Sequence, residues 1–335
     1  MGVGMSRRLN KDAKAKGSAD RDKVRNLVEL LSLRARVSGD KLAVGFIDAE
    51  EHLAESIDFS GLDLRARAIG AWIAGRGTRG QRVMLALPTG VGYLEAFFGC
   101  LYAGAVAVPV FPPHPKHFKA ARLNSIVADS GATLVFTTSS RLPAVAEWLA
   151  TTGASATAHC LDEVDTALAD AWVAPDVQED DIAFLQYTSG STNVPKGVMV
   201  GHANLLHNMR LMRQRWSLDS DSTIVSWLPL FHDLGIVGNN LLGVYLGASQ
   251  YLMVAQDFVK RPGAWLRAIS TWGAHIAMAP NFAFRLCADR VSEDERRALD
   301  LSRWKLAVNC GEPVVASMAA DFVAAFKECG FRSEA

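Results

Sequence analysis

The 335-residue chain carries 35 Lys and Arg against 35 Asp and Glu, a formal net charge of zero that argues against a nucleic-acid binder working by bulk electrostatics. Hydrophobic residues make up 50% and charged residues 21%, the mix of a chain with a sizeable buried core and not of a disordered one. Five cysteines, Cys100, Cys160, Cys287, Cys310 and Cys329, fall at wide, irregular gaps without a C-x-x-C pair, which indicates neither a zinc site nor a disulfide framework. With no charged-then-apolar leader, the odd count points to a reducing, cytoplasmic setting.

Residues 1–25 hold eight Lys and Arg, from Arg7 to Arg25, against three Asp, and residues 1–24 read as a flexible basic arm. From Val24, apolar positions at helical spacing (Leu27, Val28, Leu31) lead into a strand over Leu42–Ile47. Asp58-Phe59-Ser60-Gly61 precedes a helical face from Leu62 to Ile73 that Gly75 and Gly77 end. The alternation continues with a strand over 83–87, a helix over 92–103, a strand over 105–110, a helix over 117–129 and a strand over 133–136. Ala96 to Phe111 is the most apolar stretch; broken by Gly99, Gly104 and Pro109, it falls short of the roughly 18–20 residues a membrane span needs and reads as a buried helix followed by a buried strand. Residues 152–181 form a less regular connection. Beyond it, strands are expected at 182–187, 223–228, 250–254, 275–278 and 305–310, with helices near 202–216, 235–246, 262–272 and 314–329. Such βα alternation implies an α/β fold with mostly parallel sheets flanked by helices. We place a first α/β subdomain at 25–180 and a second, carrying the most informative segment, at 181–335.

That segment is Thr188-Ser-Gly-Ser-Thr-Asn-Val-Pro-Lys-Gly197, between the apolar runs Ile182–Tyr187 and Val198–Val200. Hydroxyls at Thr188, Ser189, Ser191 and Thr192, glycines at 190 and 197, and the ammonium of Lys196 make a donor set suited to a polyphosphate. The alternative is a polar turn between two strands, built from the same residue types. It is not a Walker A loop, since Pro195 and Gly197 flank the lysine where that motif has Gly and Ser or Thr.

Tyr187-Thr-Ser-Gly-Ser-Thr-Asn-Val-Pro-Lys-Gly197 resembles the phosphate loop of the AMP-forming acyl and aryl adenylating enzymes, with Asn193 where that family usually has Gly. The resemblance extends to Trp227-Leu-Pro-Leu-Phe-His-Asp-Leu-Gly235, Ala279-Pro-Asn-Phe-Ala-Phe284 and Asn309-Cys-Gly-Glu-Pro313. Upstream, Gly99-Cys-Leu-Tyr-Ala-Gly-Ala-Val-Ala-Val-Pro109 and Pro112-Pro113 are also similar. These spellings look most like the fatty-acyl-AMP ligase branch, over about residues 25–331.

The resemblance implies the fold of the large N-terminal domain of acyl-adenylating enzymes, and ATP-dependent activation of a medium- or long-chain fatty acid to its acyl-adenylate with release of pyrophosphate. The acyl group would pass to an acyl carrier protein, or to CoA in the rival acyl-CoA ligase reading. Thr188, Ser189, Gly190, Ser191, Thr192, Lys196 and Gly197 would meet the ATP phosphates, where charge builds on the leaving group. His232, with Asp233 beside it, would orient the acyl carboxylate; the alternative is a histidine tied into its loop. Gly311, Glu312 and Pro313 would form the adenine-binding edge. Here the alternative is a strand-end turn, with Glu312 near the positive end of the helix at 314–329.

Trp227, Phe231, Leu234, Ile236, Leu241, Phe282 and Phe284 could line an acyl slot or belong to the core, and Gly235, Gly238 and Gly243 leave room for an acyl chain or a packed helix. The family's Tyr-Gly-x-x-Glu motif, whose Glu holds Mg²⁺, its Thr-Gly-Asp motif and its lid lysine do not occur in these 335 residues. The expectation is therefore a truncated large domain, inactive or only partly active alone, with a non-catalytic nucleotide-binding remnant as the further alternative.

Overall fold

The computed structural model describes residues 21–113, 120–188 and 195–335. Of the basic arm expected over 1–24, only Arg21–Val24 fall among them. Arg21 is 3% exposed, whereas Asp22 and Lys23 are exposed.

The strands in chain order are β1 (Leu42–Ile47), β2 (Leu53–Asp58), β3 (Arg82–Leu85), β4 (Val106–Pro109), β5 (Leu134–Thr137), β6 (Thr157–Cys160), β7 (Ile182–Thr188), β8 (Lys196–Gly201), β9 (Thr223–Ser226), β10 (Ser249–Leu252), β11 (Ile276–Ala279) and β12 (Leu306–Asn309). Helices alternate with them, as the sequence pattern requires. Two six-stranded sheets result, with orders β6-β5-β3-β4-β7-β8 and β12-β11-β9-β10-β1-β2. In the first, β3, β4, β5, β6 and β7 pair in parallel and only β7–β8 is antiparallel. In the second, β1–β10, β10–β9, β9–β11 and β11–β12 are parallel. β4, β5 and β11 are buried at every residue, as strands covered on both faces must be, and this is why they read as unbroken apolar runs.

The chain divides into two compact units: one comprises residues through Lys41, Asp58–Pro88 and Gly92–Asn208, the other Leu42–Ile57, Thr89–Val91 and Met209–Ala335. The division expected at 180/181 is therefore not where the chain parts. β7 pairs with β4 and β8 with β7, so both strands that flank the segment belong to the first unit, while β1 and β2 complete the sheet of the second. A boundary set by linear order misses this, because strand pairing here is non-local.

In the first unit the helix Leu27–Ser38 starts at Asn26, whose Oδ1 accepts from the Glu29 N–H at 2.9 Å while its Nδ2 donates to the Val177 carbonyl at 2.9 Å. The helix Phe59–Ala74 is capped in the same way by Asp58, which accepts from Gly61 N–H at 2.7 Å. Met84, Val108, Leu123, Ile126, Val135, Trp148 and Tyr187 belong to one continuous core. In the second unit Trp265 is the hub of an aromatic core, meeting Trp227, Phe258, Phe284 and Trp304 edge-on.

Several elements were not foreseen: β2 is almost wholly exposed, β6 closes a sheet edge within the stretch expected to be a less regular connection, and the helices Leu142–Thr152, Ala255–Lys260, Asn281–Arg290 and Glu293–Arg297 fall where no element was expected. The helix expected over 235–246 is a π-helix over Leu234–Leu241 running into a short α-helix, Leu242–Leu246. Asn239 and Asn240 donate to the carbonyls of Leu234 and Gly235, five residues back, and so serve carbonyls in the widened turn. Among the described residues no helix is long and apolar enough to cross a membrane.

Candidate functional site

β7 and β8 form the two sides of a hairpin whose register sets Thr188 opposite Lys196 and Tyr187 opposite Gly197. Thr188 and Lys196 are both exposed and mark the mouth of the segment singled out in the sequence. Ser189, Gly190, Ser191 and Thr192 lie outside the described residues. Gly197 has a structural reason to lack a side chain, since a Cβ there would come within 2.9 Å of Tyr187 Cζ. The Tyr187 hydroxyl donates to Asp129 Oδ2 at 2.6 Å, and Arg122 Nη2 donates to the Tyr187 carbonyl at 3.4 Å. Burial, then the Asp129 carboxylate, push the Tyr187 phenol well above its usual range, so it stays a protonated donor.

In the second unit, β9 leads through Trp227–Leu230 to His232 and Asp233, both exposed. The His232 N–H donates to the Pro229 carbonyl at 3.1 Å, which closes a tight turn. Asp233 Oδ1 lies 2.6 Å from His232 Nδ1 and also accepts from the Leu234 N–H at 2.7 Å. Hydrogen bonding to Asp233 raises the imidazole pKa above 6.5, and the same bond lowers that of Asp233. With Nδ1 engaged, Nε2 is the ring nitrogen left for a ligand.

Gly311, Glu312 and Pro313 follow β12 and are exposed. Gly311 has φ +84°, a conformation that side chains disfavour. Glu312 does not serve the helix after it, which begins only at Ala316. Its Oε1 accepts instead from the Phe282 N–H at 2.6 Å, in the first turn of the helix Asn281–Arg290, a carboxylate at the positive end of a different helix. Asn281, 4% exposed, ties the segment further: its Oδ1 accepts from Asn309 Nδ2 at 2.8 Å and from the Val315 N–H at 3.3 Å. The Ala279–Phe284 and Asn309–Pro313 motifs thus form one hydrogen-bonded cluster. Sequence reasoning did not single out Asn281 or Asp129; the only signal for Asn281 was its place beside Pro280 in a quoted motif.

Of the residues expected to line an acyl slot, Trp227, Ile236, Leu241 and Phe284 are buried, with Trp227 stacked on Phe258 at 4.2 Å, whereas Phe231 and Leu234 are half-buried and Phe282 is 44% exposed. A Cβ at Gly243 would come within 2.2 Å of the Gln250 side chain, and one at Gly238 within 3.1 Å of Leu234 and 3.4 Å of Met278. Among the described residues no group of three His, Cys, Asp or Glu could hold a metal ion, so nothing there assigns Mg²⁺ a ligand set.

Two mostly parallel sheets flanked by helices carry an exposed Thr188–Lys196 pair at the mouth of a segment that is rich in hydroxyls and glycine in the sequence. The chain belongs to the AMP-binding enzyme family, whose model matches residues 31–332. It is 37% identical over 92% of its length to the medium-chain-fatty-acid–[acyl-carrier-protein] ligase JamA of Moorena producens, and 36% identical over 92% to the long-chain-fatty-acid–AMP ligase FadD32 of Mycobacterium marinum. These matches cover 53% and 51% of the two relatives, so the chain spans about half their length. Its fold superposes on a fatty acyl-adenylate ligase of L. pneumophila, solved with acyl adenylate and pyrophosphate, with a TM-score of 0.87 and 35% identity, covering 93% of this chain and 54% of that one.

Proposed function

We propose that this chain is the ATP-handling part of an enzyme that activates a medium- or long-chain fatty acid as its acyl-adenylate and passes the acyl group to a carrier protein in the cytoplasm. The observation that carries the reading is the exposed Thr188–Lys196 pair at the mouth of the β7–β8 hairpin. It occurs in a chain 37% identical to a ligase of medium-chain fatty acids and acyl carrier protein.

In the reaction, a carboxylate oxygen of the fatty acid attacks the α-phosphorus of ATP. The bond from that phosphorus to the oxygen bridging to the β-phosphorus breaks, and pyrophosphate carries away the electron pair. Negative charge accumulates on the leaving group, where the Lys196 ammonium and Thr188 hydroxyl, with Ser189, Gly190, Ser191, Thr192 and the Gly197 backbone, serve as donors. The Nε2 edge of His232 orients the attacking carboxylate, and a cationic ring favours its binding. Gly311–Pro313, held by Asn281 and the Phe282 amide, offer a fixed edge to the adenine. Mg²⁺, when bound to ATP, neutralises phosphate charge.

ATP–pyrophosphate exchange by the protein as its gene encodes it tests the reading. Exchange is expected with medium- and long-chain fatty acids and not with amino acids, followed by acyl transfer to a carrier protein. Exchange driven by amino acids alone contradicts the substrate, and transfer to CoA in place of the carrier contradicts the acceptor.

A further inference from the structure

We propose that Tyr187 and Asp129 form a positioning pair that fixes the stem of the β7–β8 hairpin, and through it the place of Lys196 and Thr188 toward the ATP phosphates. The proposal rests on the phosphate-binding reading of that hairpin. Tyr187 is the residue before Thr188 and is 6% exposed, while its hydroxyl reaches outward to Asp129 Oδ2 at 2.6 Å. Asp129 stands on the helix Ala120–Ser130, and Arg122 of the same helix donates to the Tyr187 carbonyl, so one helix grips this residue by side chain and by backbone.

Across the ladder, Tyr187 faces Gly197, and its ring lies where a side chain at 197 would stand. Each hairpin strand is therefore fixed beside its functional residue: β7 through Tyr187 next to Thr188, and β8 through Gly197 next to Lys196. Because side chains alternate along a strand, Thr188 and Lys196 project to the face opposite Tyr187. The tyrosine thus anchors one face of the hairpin mouth while the phosphate donors occupy the other. A phenol donating to a carboxylate makes a strong, directional bond, suited to holding a hairpin that must present a cation without yielding when charge moves.

A contact that merely holds helix to sheet predicts a different outcome from one that positions the donors. AMP lacks the β and γ phosphates, so a misplaced Lys196 weakens ATP binding and spares AMP. The test is equilibrium dialysis of labelled ATP and labelled AMP against the protein as encoded, its variants Tyr187→Phe, Asp129→Asn, their double variant and Lys196→Ala, with thermal melts of each. Tyr187→Phe keeps the ring against Gly197, and Asp129→Asn changes an exposed carboxylate, so the second covers the case in which the first does not fold.

The expected result is a preference for ATP over AMP that falls about tenfold in each single variant of the pair, with no further fall in the double variant. Lys196→Ala loses the preference as well. If Lys196→Ala loses it while Tyr187→Phe and Asp129→Asn keep it, or weaken both nucleotides equally as melting falls, the positioning pair is overturned and the hairpin reading stands. If the unchanged protein shows no preference, or Lys196→Ala retains it, the hairpin reading fails and the proposal with it.

Discussion

Asp233 Oδ1 holds His232 by its Nδ1 at 2.6 Å, a contact that favours the charged imidazole and leaves Nε2 to face a ligand. The bond raises the His232 pKa above 6.5, so the ring stays cationic to higher pH than a free histidine. Asp233→Asn should return the ring toward 6.5, read from a pH titration of its NMR signals. The pH above which the KM for fatty acid rises should move down with it. Both groups are exposed, so the melting temperature should barely change. An unaltered His232 titration would show that the carboxylate does not tune the ring.

His202 is the opposite case. It is 2% exposed, and its Nδ1 accepts from the Leu27 N–H at 3.2 Å, which fastens the first helix; burial lowers its pKa from 6.5 to about 4, against the attraction of Asp181. The unfolded chain takes up this proton first, so the contribution is fully present above pH 6.5 and is lost as pH falls through about 4. The loss is on the order of 3 kcal/mol. Melting temperature should therefore drop between pH 7.5 and 5, with a shallower slope in His202→Gln. Equal slopes in the two proteins would remove His202 as the cause.

Asn281 Oδ1 accepts two hydrogen bonds, from Asn309 Nδ2 at 2.8 Å and from the Val315 N–H at 3.3 Å. Asn281→Ala should cost about 1–3 kcal/mol, because Asn309 Nδ2 and the Val315 N–H lose their acceptor in a partly buried place. It should also weaken binding of AMP and ATP alike, since the adenine edge and not the phosphate donors is loosened. A variant with lowered melting temperature and unchanged nucleotide affinity would separate the cluster from the adenine.

Much of this arrangement was legible along the chain, for identifiable reasons. Ile182–Tyr187 and Val198–Val200 read as the two sides of the phosphate segment from their apolar runs, although only the first lies in a largely buried strand, Val198 and Met199 being 49% and 68% exposed, and the helix after Asp58 was legible in its apolar face from Leu62 to Ile73. What the chain did not disclose was pairing at a distance. Asn281 meets Asn309 and Val315, 28 and 34 residues on, and Asp129 meets Tyr187 across 58. No local pattern encodes such contacts, since each partner alone is an ordinary polar residue. For the same reason β7 could be recognised as a strand but not assigned to the sheet of β4, which is why the expected boundary at 180/181 parted the hairpin from its own unit. The π-helical turn over Leu234–Leu241 escaped notice because its apolar spacing differs little from that of an α-helix.

In the function proposed here, Lys196 at the β7–β8 hairpin stabilises charge on the departing pyrophosphate. The decisive measurement is acyl-adenylate formation from labelled ATP and a fatty acid by the protein as encoded and by Lys196→Ala, beside their thermal melts. An exposed lysine at a strand end contributes little to stability, whereas loss of a preorganised donor costs roughly 10²- to 10³-fold in rate. The predicted result is a fall of that size at an unchanged melting temperature; a fall of less than tenfold at an unchanged melting temperature would contradict the claim.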